Sequence, residues 1–174
     1  GVSAPTNTPG NRGWGPASWT DNNNNLWLFG GTSTTLGDQN DLWMYNISTN
    51  ECTWMHGSNT GNPPGSFGTL GVPSPTNDPP YRHETPCGWV DNSGDIWLFG
   101  GLGAQYMDDL WRYNITTNEW TWMHGSQASP NPVFGTKGVA AATNDPGGRF
   151  TYCRWKDFSN QLWMMGGYVN AIGQ

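Results

Sequence analysis

The sequence predicts an all-β chain of about two and a half repeated four-stranded antiparallel sheets, and three observations predict it. A phrase ending in two glycines recurs three times, as Leu26–Gly31 (LWLFGG), Ile96–Gly101 (IWLFGG) and Leu162–Gly167 (LWMMGG). Apolar runs last four to six residues and then break, which is strand length and leaves no window for an amphipathic helix. Between the runs stand Gly, Pro, Asn and Thr, including four consecutive asparagines at Asn22–Asn25, the residue types that turn a chain between short strands.

The elements follow from aligning the chain on itself. Strand one of each unit leads into a Trp-x-Asp (Trp19–Asp21, Trp89–Asp91, Trp155–Asp157), with Arg12, Arg82 and Arg149 upstream. Strand two is the double-glycine phrase. Its Trp27, Trp97 and Trp163 each follow the first Trp by eight residues and recur at intervals of 70 and 66. The intervening DNNNN, DNSGD and DFSNQ are hairpin loops. Strand three is DLWMYN (Asp41–Asn46) and DLWRYN (Asp109–Asn114), in the first two units only. Strand four follows a tight NISTNE or NITTNE turn, within CTWMHGS (Cys52–Ser58) and WTWMHGS (Trp120–Ser126). The single segment 1–174 thus divides into repeat one at about 1–58, repeat two at about 59–126 and a partial repeat three at about 127–174.

LWLF and IWLF are continuous rather than alternating, so both faces of strand two are expected to be covered. A sheet sandwiched between copies of itself meets that demand, as blades do around a propeller axis. Gly30, Gly31, Gly100, Gly101, Gly166 and Gly167 then permit a turn with positive φ and let a large ring lie on bare backbone. Taken together, the Arg, Trp-x-Asp, LWLFGG, NDLW-x-YN and Trp-bearing fourth strand resemble the Kelch repeat across residues 11–167. The resemblance implies a β-propeller segment with blades like those of the galactose-oxidase central domain, the double glycine ending strand two. These units exceed the roughly 50 residues usual for that repeat. The excess precedes strand one, where Gly65–Arg82 and Pro132–Arg149 share Phe67/Phe134, Gly68/Gly135, Val72/Val139, Asn77/Asn144 and Asp78/Asp145. A loop that repeats its own Phe and Val is expected to pack over the propeller.

Two and a half blades leave open faces. The preferred expectation is that further blades of the same polypeptide cover them; the alternative is that identical chains associate as a ring or filament. The net charge of −6, with seven Lys and Arg and no basic cluster, argues against a nucleic-acid partner. No apolar run reaches the roughly eighteen residues of a membrane span. The 14% aromatic content argues against disorder.

Candidate chemistry is weighed against the repeats. His56 and His124 hold the same slot after strand four, and equivalent slots in different blades do not converge, so no metal site or cofactor is expected. Asp108–Asp109, with Asp38 and Asp41 at the related place, lack the ligand spacing of a calcium loop. Glu51 and Glu119 repeat within a turn, which marks them as structural rather than as glycoside-cleaving acids. The recurrent arginines point to blade-to-blade hydrogen bonding, ahead of a cationic ring at a channel mouth. Cys87 and Cys153 stand where the first unit has Ala17, a small buried site. With Cys52 they read first as buried free thiols, with one disulfide as the alternative. Asn46-Ile-Ser and Asn114-Ile-Thr are N-glycosylation sequons in an exposed turn, although 19 asparagines make about three sequons expected by chance.

Because the notable residues repeat in register, the sequence favours a non-enzymatic extracellular or cell-surface scaffold used for binding or self-assembly. Its expected partners are further blades, identical chains, other proteins or glycans. The alternatives are a fragment of a carbohydrate-active or galactose-oxidase-like enzyme, and a carbohydrate-binding module using exposed rings such as Tyr81 or Tyr106.

Overall fold

Each Trp-x-Asp segment folds back onto the following Leu-Trp or Ile-Trp run because its aspartate ties the connecting turn. Asp21 Oδ1 accepts the N–H groups of Asn23 and Asn25 at 2.8 and 2.9 Å, while Asn24 takes φ 63°. Asp91 and Asp157 repeat the arrangement. The second turn type is also self-capped. Asn46 Oδ1 accepts from the N–H groups of Ser48 and Thr49, and Asn114 Oδ1 from those of Thr116 and Thr117. Asn50 and Asn118, both at φ 58°, take the hydroxyl hydrogen bonds of Tyr45 and Tyr113 at 2.5 Å.

The computed structural model describes residues 1–84, 88–128 and 131–169. The first repeat gives β1 (Ala17–Thr20), β2 (Leu26–Phe29), a small ribbon of β3 (Thr32–Ser33) and β4 (Gly37–Asp38), β5 (Leu42–Asn46) and β6 (Glu51–His56). The second gives β7 (Gly88–Val90), β8 (Ile96–Phe99), β9 (Leu110–Asn114) and β10 (Glu119–His124). The third gives β11 (Arg149–Phe150), β12 (Cys153–Lys156), β13 (Leu162–Met165) and β14 (Tyr168–Val169). No helix occurs among the described residues. The sheets run β1-β2-β5-β6 and β7-β8-β9-β10, antiparallel throughout; the third repeat supplies the hairpin β12–β13 and the short pair β11–β14, and no sheet closes.

The blades stack front on back. Ala17, Trp19, Trp27, Phe29 and Leu42 of blade one form one core with Ile96, Leu98, Trp111, Tyr113 and Trp120 of blade two. Trp89 and Phe99 on the front of blade two form a second core with Tyr152 of blade three, flanked by Leu162 and Met164. Inner strands β1 and β7 lie side by side, as around an axis. Strand β8, between two blades, is nearly all buried. Leu26 and Leu28 of β2 are not, because they face the side of blade one on which no blade lies.

Three expectations need correction. The double glycines do adopt positive φ (67° and 86°, 64° and 107°, 75° and 91°), and Tyr152 does lie against Gly167, its Cδ1 3.5 Å from where a Cβ would stand, but at Gly30 and Gly100 no ring stands nearest. A main-chain carbonyl does: a Cβ on Gly30 would stand 2.6 Å from the Arg82 oxygen, and one on Gly100 2.5 Å from that of Arg149. Bare backbone also lies under a ring at Gly88, beneath the Trp19 indole. Cys153 is an exposed free thiol rather than a buried one, because no blade covers the front of blade three; Cys52 is free and half-buried. Cys87 lies outside the described residues. Finally, Tyr106 is half-buried rather than exposed, in a cluster with Phe150 and Tyr168 at 5.5 and 6.0 Å; Tyr81 is also half-buried.

The long loops pack as their repetition implies. Phe67 sits against Trp111 and Trp122, with ring centroids 5.0 and 5.1 Å apart. The second half of each loop runs along strand four of the blade that follows it: Gly71 N–H donates to the Trp122 carbonyl and Ser74 bridges Trp120, just as Gly1 and Ala4 do at Trp54 and Cys52. The third copy has no strand four to lie on among the described residues, and Phe134 is 81% exposed.

Candidate functional site

Arg82 and Arg149 each join two blades. Through its main chain, Arg82 belongs to blade one: its N–H donates to Gln39 O at 3.1 Å and its carbonyl accepts Gly31 N–H at 2.9 Å. Through its side chain it belongs to blade two. Nη1 and Nη2 grip the two oxygens of Asp109 at 2.8 and 2.7 Å, and Nη1 also donates to Gly100 O at 2.9 Å. Asp109 then accepts Trp111 Nε1–H at 2.7 Å. Arg12, Asp41 and Trp43 repeat the set in blade one. Burial raises the Asp41 carboxyl pKa, and the Trp43 and Arg12 bonds offset only part of that. The Arg82 and Arg12 side chains are buried against these carboxylates, whereas Arg149 is half-buried.

The strand-two tryptophans are held in the same manner. Trp27, Trp97 and Trp163 donate Nε1–H to Asp21, Asp91 and Asp157 at 2.9, 2.8 and 2.8 Å. Burial raises the Asp21 pKa, but the bonds from Trp27 and Asn25 outweigh it and leave the carboxyl below its usual range. The constant six-residue step from Asp to Trp is the sequence signal that would have found this pair.

A clasp joins each long loop to the preceding blade. His56 Nδ1 meets Asp78 Oδ1 at 2.6 Å, and Asn40 holds both sides, accepting Ser58 N–H at 2.9 Å and donating to Pro79 O at 2.9 Å. In blade two the clasp is weaker: His124 and Asp145 are 3.9 Å apart, and Asp108 stands where blade one has Asn40. The strand registers thus align Asp108–Asp109 with Asn40–Asp41. Asp38 lies elsewhere, bonded to Thr32 and paired with His83.

Asp108 is buried and accepts Ser126 N–H at 3.0 Å. Burial, then the neighbouring Asp145 and Asp109, push its pKa up to about 7. Since the folded value exceeds the ordinary 3.8, the unfolded chain releases this proton first as pH rises. Stability therefore falls between about pH 4 and pH 7 and then levels off. Asp108→Asn restores the blade-one chemistry. It is expected to abolish that slope and to raise stability at pH 8 by on the order of 2 kcal/mol, as read from urea unfolding across pH. An unchanged slope would refute the assignment.

Sequons and acids complete the survey. Asn46 and Asn114 are half-buried beside solvent-exposed turns, and Asn114 Nδ2 donates to Asp95 Oδ1 at 3.0 Å. Glu51 and Glu119 pair in register with those two asparagines. Among the described residues, no group of three or more His, Cys, Asp or Glu is placed to hold a metal, and no helix is long and apolar enough to cross a membrane.

What remains open is one face at each end. On the front of blade three, Cys153, Trp155, Trp163 and Met165 occupy the positions of buried Ala17, Trp19, Trp27 and Phe29, yet all are exposed; Trp155 and Trp163 stack 3° from parallel at 5.9 Å. On the back of blade one, Leu26, Leu28, Trp43, Tyr45 and Cys52 border an apolar groove of about 330 Å³. Residues 93–121, from the β7–β8 turn into β10, match the Kelch motif. The chain carries a Kelch repeat. Among the described residues its sheets are antiparallel, helix-free and unclosed, consistent with a partial Kelch propeller. Kelch domains are protein-interaction modules, and the uncovered blade surfaces expose apolar area. No curated protein matches the chain.

Proposed function

We propose that the chain is a non-enzymatic, protein-binding Kelch scaffold that stacks head to tail, outside the cell or at its surface. One observation carries the reading. The front of blade one covers the back of blade two, the front of blade two covers the back of blade three, and among the described residues the two outermost members of this series are bare and apolar. A front that meets a back is a heterologous contact, which propagates into a ring or a filament. Exposed apolar patches of this kind mark protein contacts. The recurrent polar groups are tied into the blade stack, which supports a structural role over a catalytic one. Low charge supports the extracellular placement.

The test is sedimentation velocity on the chain secreted from eukaryotic cells. Oligomers that grow with concentration are expected, and Met165→Lys on the bare front should weaken association at least about tenfold. A monomer at every concentration would defeat the stacking. A secreted chain whose mass is unchanged by N-glycan removal would count against the extracellular placement.

A further inference from the structure

We propose that the second long loop, residues 131–149, is a proton-controlled strap, docked on blade two while Asp108 carries a proton and released when Asp108 is ionised. The device works within one chain and does not rest on the stacking of blades. Blades one and two hold equivalent loops with different latches, and that difference supplies the argument.

The first loop, residues 65–82, is latched twice. His56 Nδ1 meets Asp78 Oδ1 at 2.6 Å, and Asn40 at once accepts Ser58 N–H and donates to Pro79 O, each at 2.9 Å. Both latches change in the second loop. Pro80 has no N–H to offer, whereas its counterpart Gly147 donates N–H to Asp145 Oδ1 at 2.6 Å. Asp145 is thereby drawn from His124, whose Nδ1 stands 3.9 Å from Oδ2. Position 108 is the remaining latch. Asp108 takes the Ser126 N–H at 3.0 Å as Asn40 takes that of Ser58. An ionised carboxylate, however, has no hydrogen to give the carbonyl of Pro146, the counterpart of Pro79. A protonated one has. Protonation therefore restores to Asp108 the paired accepting and donating roles that Asn40 fills at every pH.

The surroundings oppose the charge. A pocket of about 350 Å³ between the loop and blade two is bordered by Asp108, His124, Ser126, Val133, Thr143 and Asp145. Burial, then Asp145 and Asp109, push the Asp108 carboxyl up to about 7. The nearby cations are engaged elsewhere: Arg82 grips Asp109, Arg149 donates to the Gly166 and Pro146 carbonyls, and His124 faces Asp145. Release carries Asp145 away and admits water to Asp108, so the carboxyl is more acidic in the released state than in the docked one. Docking is therefore strongest in acid, weakens as pH rises toward about 7, and is level above that.

The test is amide hydrogen exchange on the whole chain, corrected for the intrinsic pH dependence of exchange, with the first loop as internal reference. Val133 and Asp145 donate N–H to each other's carbonyls at 2.7 and 2.9 Å, and Ser66 and Asp78 do so at 2.8 Å in the first loop. From about pH 5 to about pH 8, protection of the Val133 and Asp145 N–H groups is expected to fall about tenfold or more relative to those of Ser66 and Asp78. Asp108→Asn should keep the second loop as protected at the higher pH as at the lower, and Asn40→Asp should transfer the fall to the first loop. His124→Asn removes the imidazole that faces Asp145, and the fall should persist without it. Equal changes in the two loops would report global unfolding. That outcome, no fall at all, or a fall that survives Asp108→Asn would overturn the inference.

Discussion

Arg82→Ala is expected to destabilise the chain by about 3–5 kcal/mol in urea unfolding, whereas Arg149→Ala costs about 1 kcal/mol or less. The difference lies in what is left behind. Arg82 is fully buried, and its removal strands the equally buried Asp109 with a single remaining side-chain donor, Trp111. A buried charge without its partner is costlier than a buried pair never made. Arg149 leaves no such anion, since its side-chain bonds run to the Gly166 and Pro146 carbonyls. Arg82→Lys keeps the charge but loses the two-pronged grip on the carboxylate, and should fall between the two. Combining Arg82→Met with Asp109→Leu should recover much of the loss, because no charge then remains to be desolvated. Equal costs at Arg82 and Arg149 would mean that the arginines are not staples.

That contrast shows which parts of the molecule could be read from the chain. Arg12, Arg82 and Arg149 stood out by recurrence, and Arg82 and Arg149 bridge blades as recurrence suggested, while Arg12 pairs with Asp41 inside blade one. Their carboxylate partners did not stand out, because 27 residues separate Arg82 from Asp109 and only the folded blade brings them together. The same holds for Asn7 and Asn77, visible as a repeated Thr-Asn but not as clamps onto a strand carbonyl 45 and 43 residues away. Local pairs fared otherwise. The Asp-to-Trp step of six residues was in plain view, yet a hydrogen bond was not inferred from it. Asp108 escaped because it was aligned with Asp38, and register, not spacing, assigns it to Asn40. Exposure of Cys153 was misread for a different reason: burial in a blade belongs to its neighbours, and the third blade lacks one on its front.

The double glycines give the sharpest comparison, since the same substitution meets three surroundings. Gly100→Ala is expected to cost about 3–4 kcal/mol, Gly30→Ala about the same, and Gly166→Ala only about 1 kcal/mol. All three residues sit at similar positive φ (64°, 67° and 75°), so the left-handed backbone penalty is common to them. The remainder is contact. A Cβ on Gly100 or Gly30 would press within 2.6 Å of a main-chain oxygen, and that oxygen cannot move away without releasing the adjoining N–H, of Gly101 or Gly31, that it accepts at 2.9 Å. Nothing lies within 4 Å of a Cβ on Gly166. If the glycines serve only to turn the chain, the three alanines will cost the same. If they serve to let one blade's backbone rest on the next, unfolding will separate Gly166 from the other two by at least about 2 kcal/mol. Hydrogen exchange should then show Gly101 N–H losing protection in Gly100→Ala, while the β12–β13 hairpin of Gly166→Ala exchanges as in the unsubstituted chain.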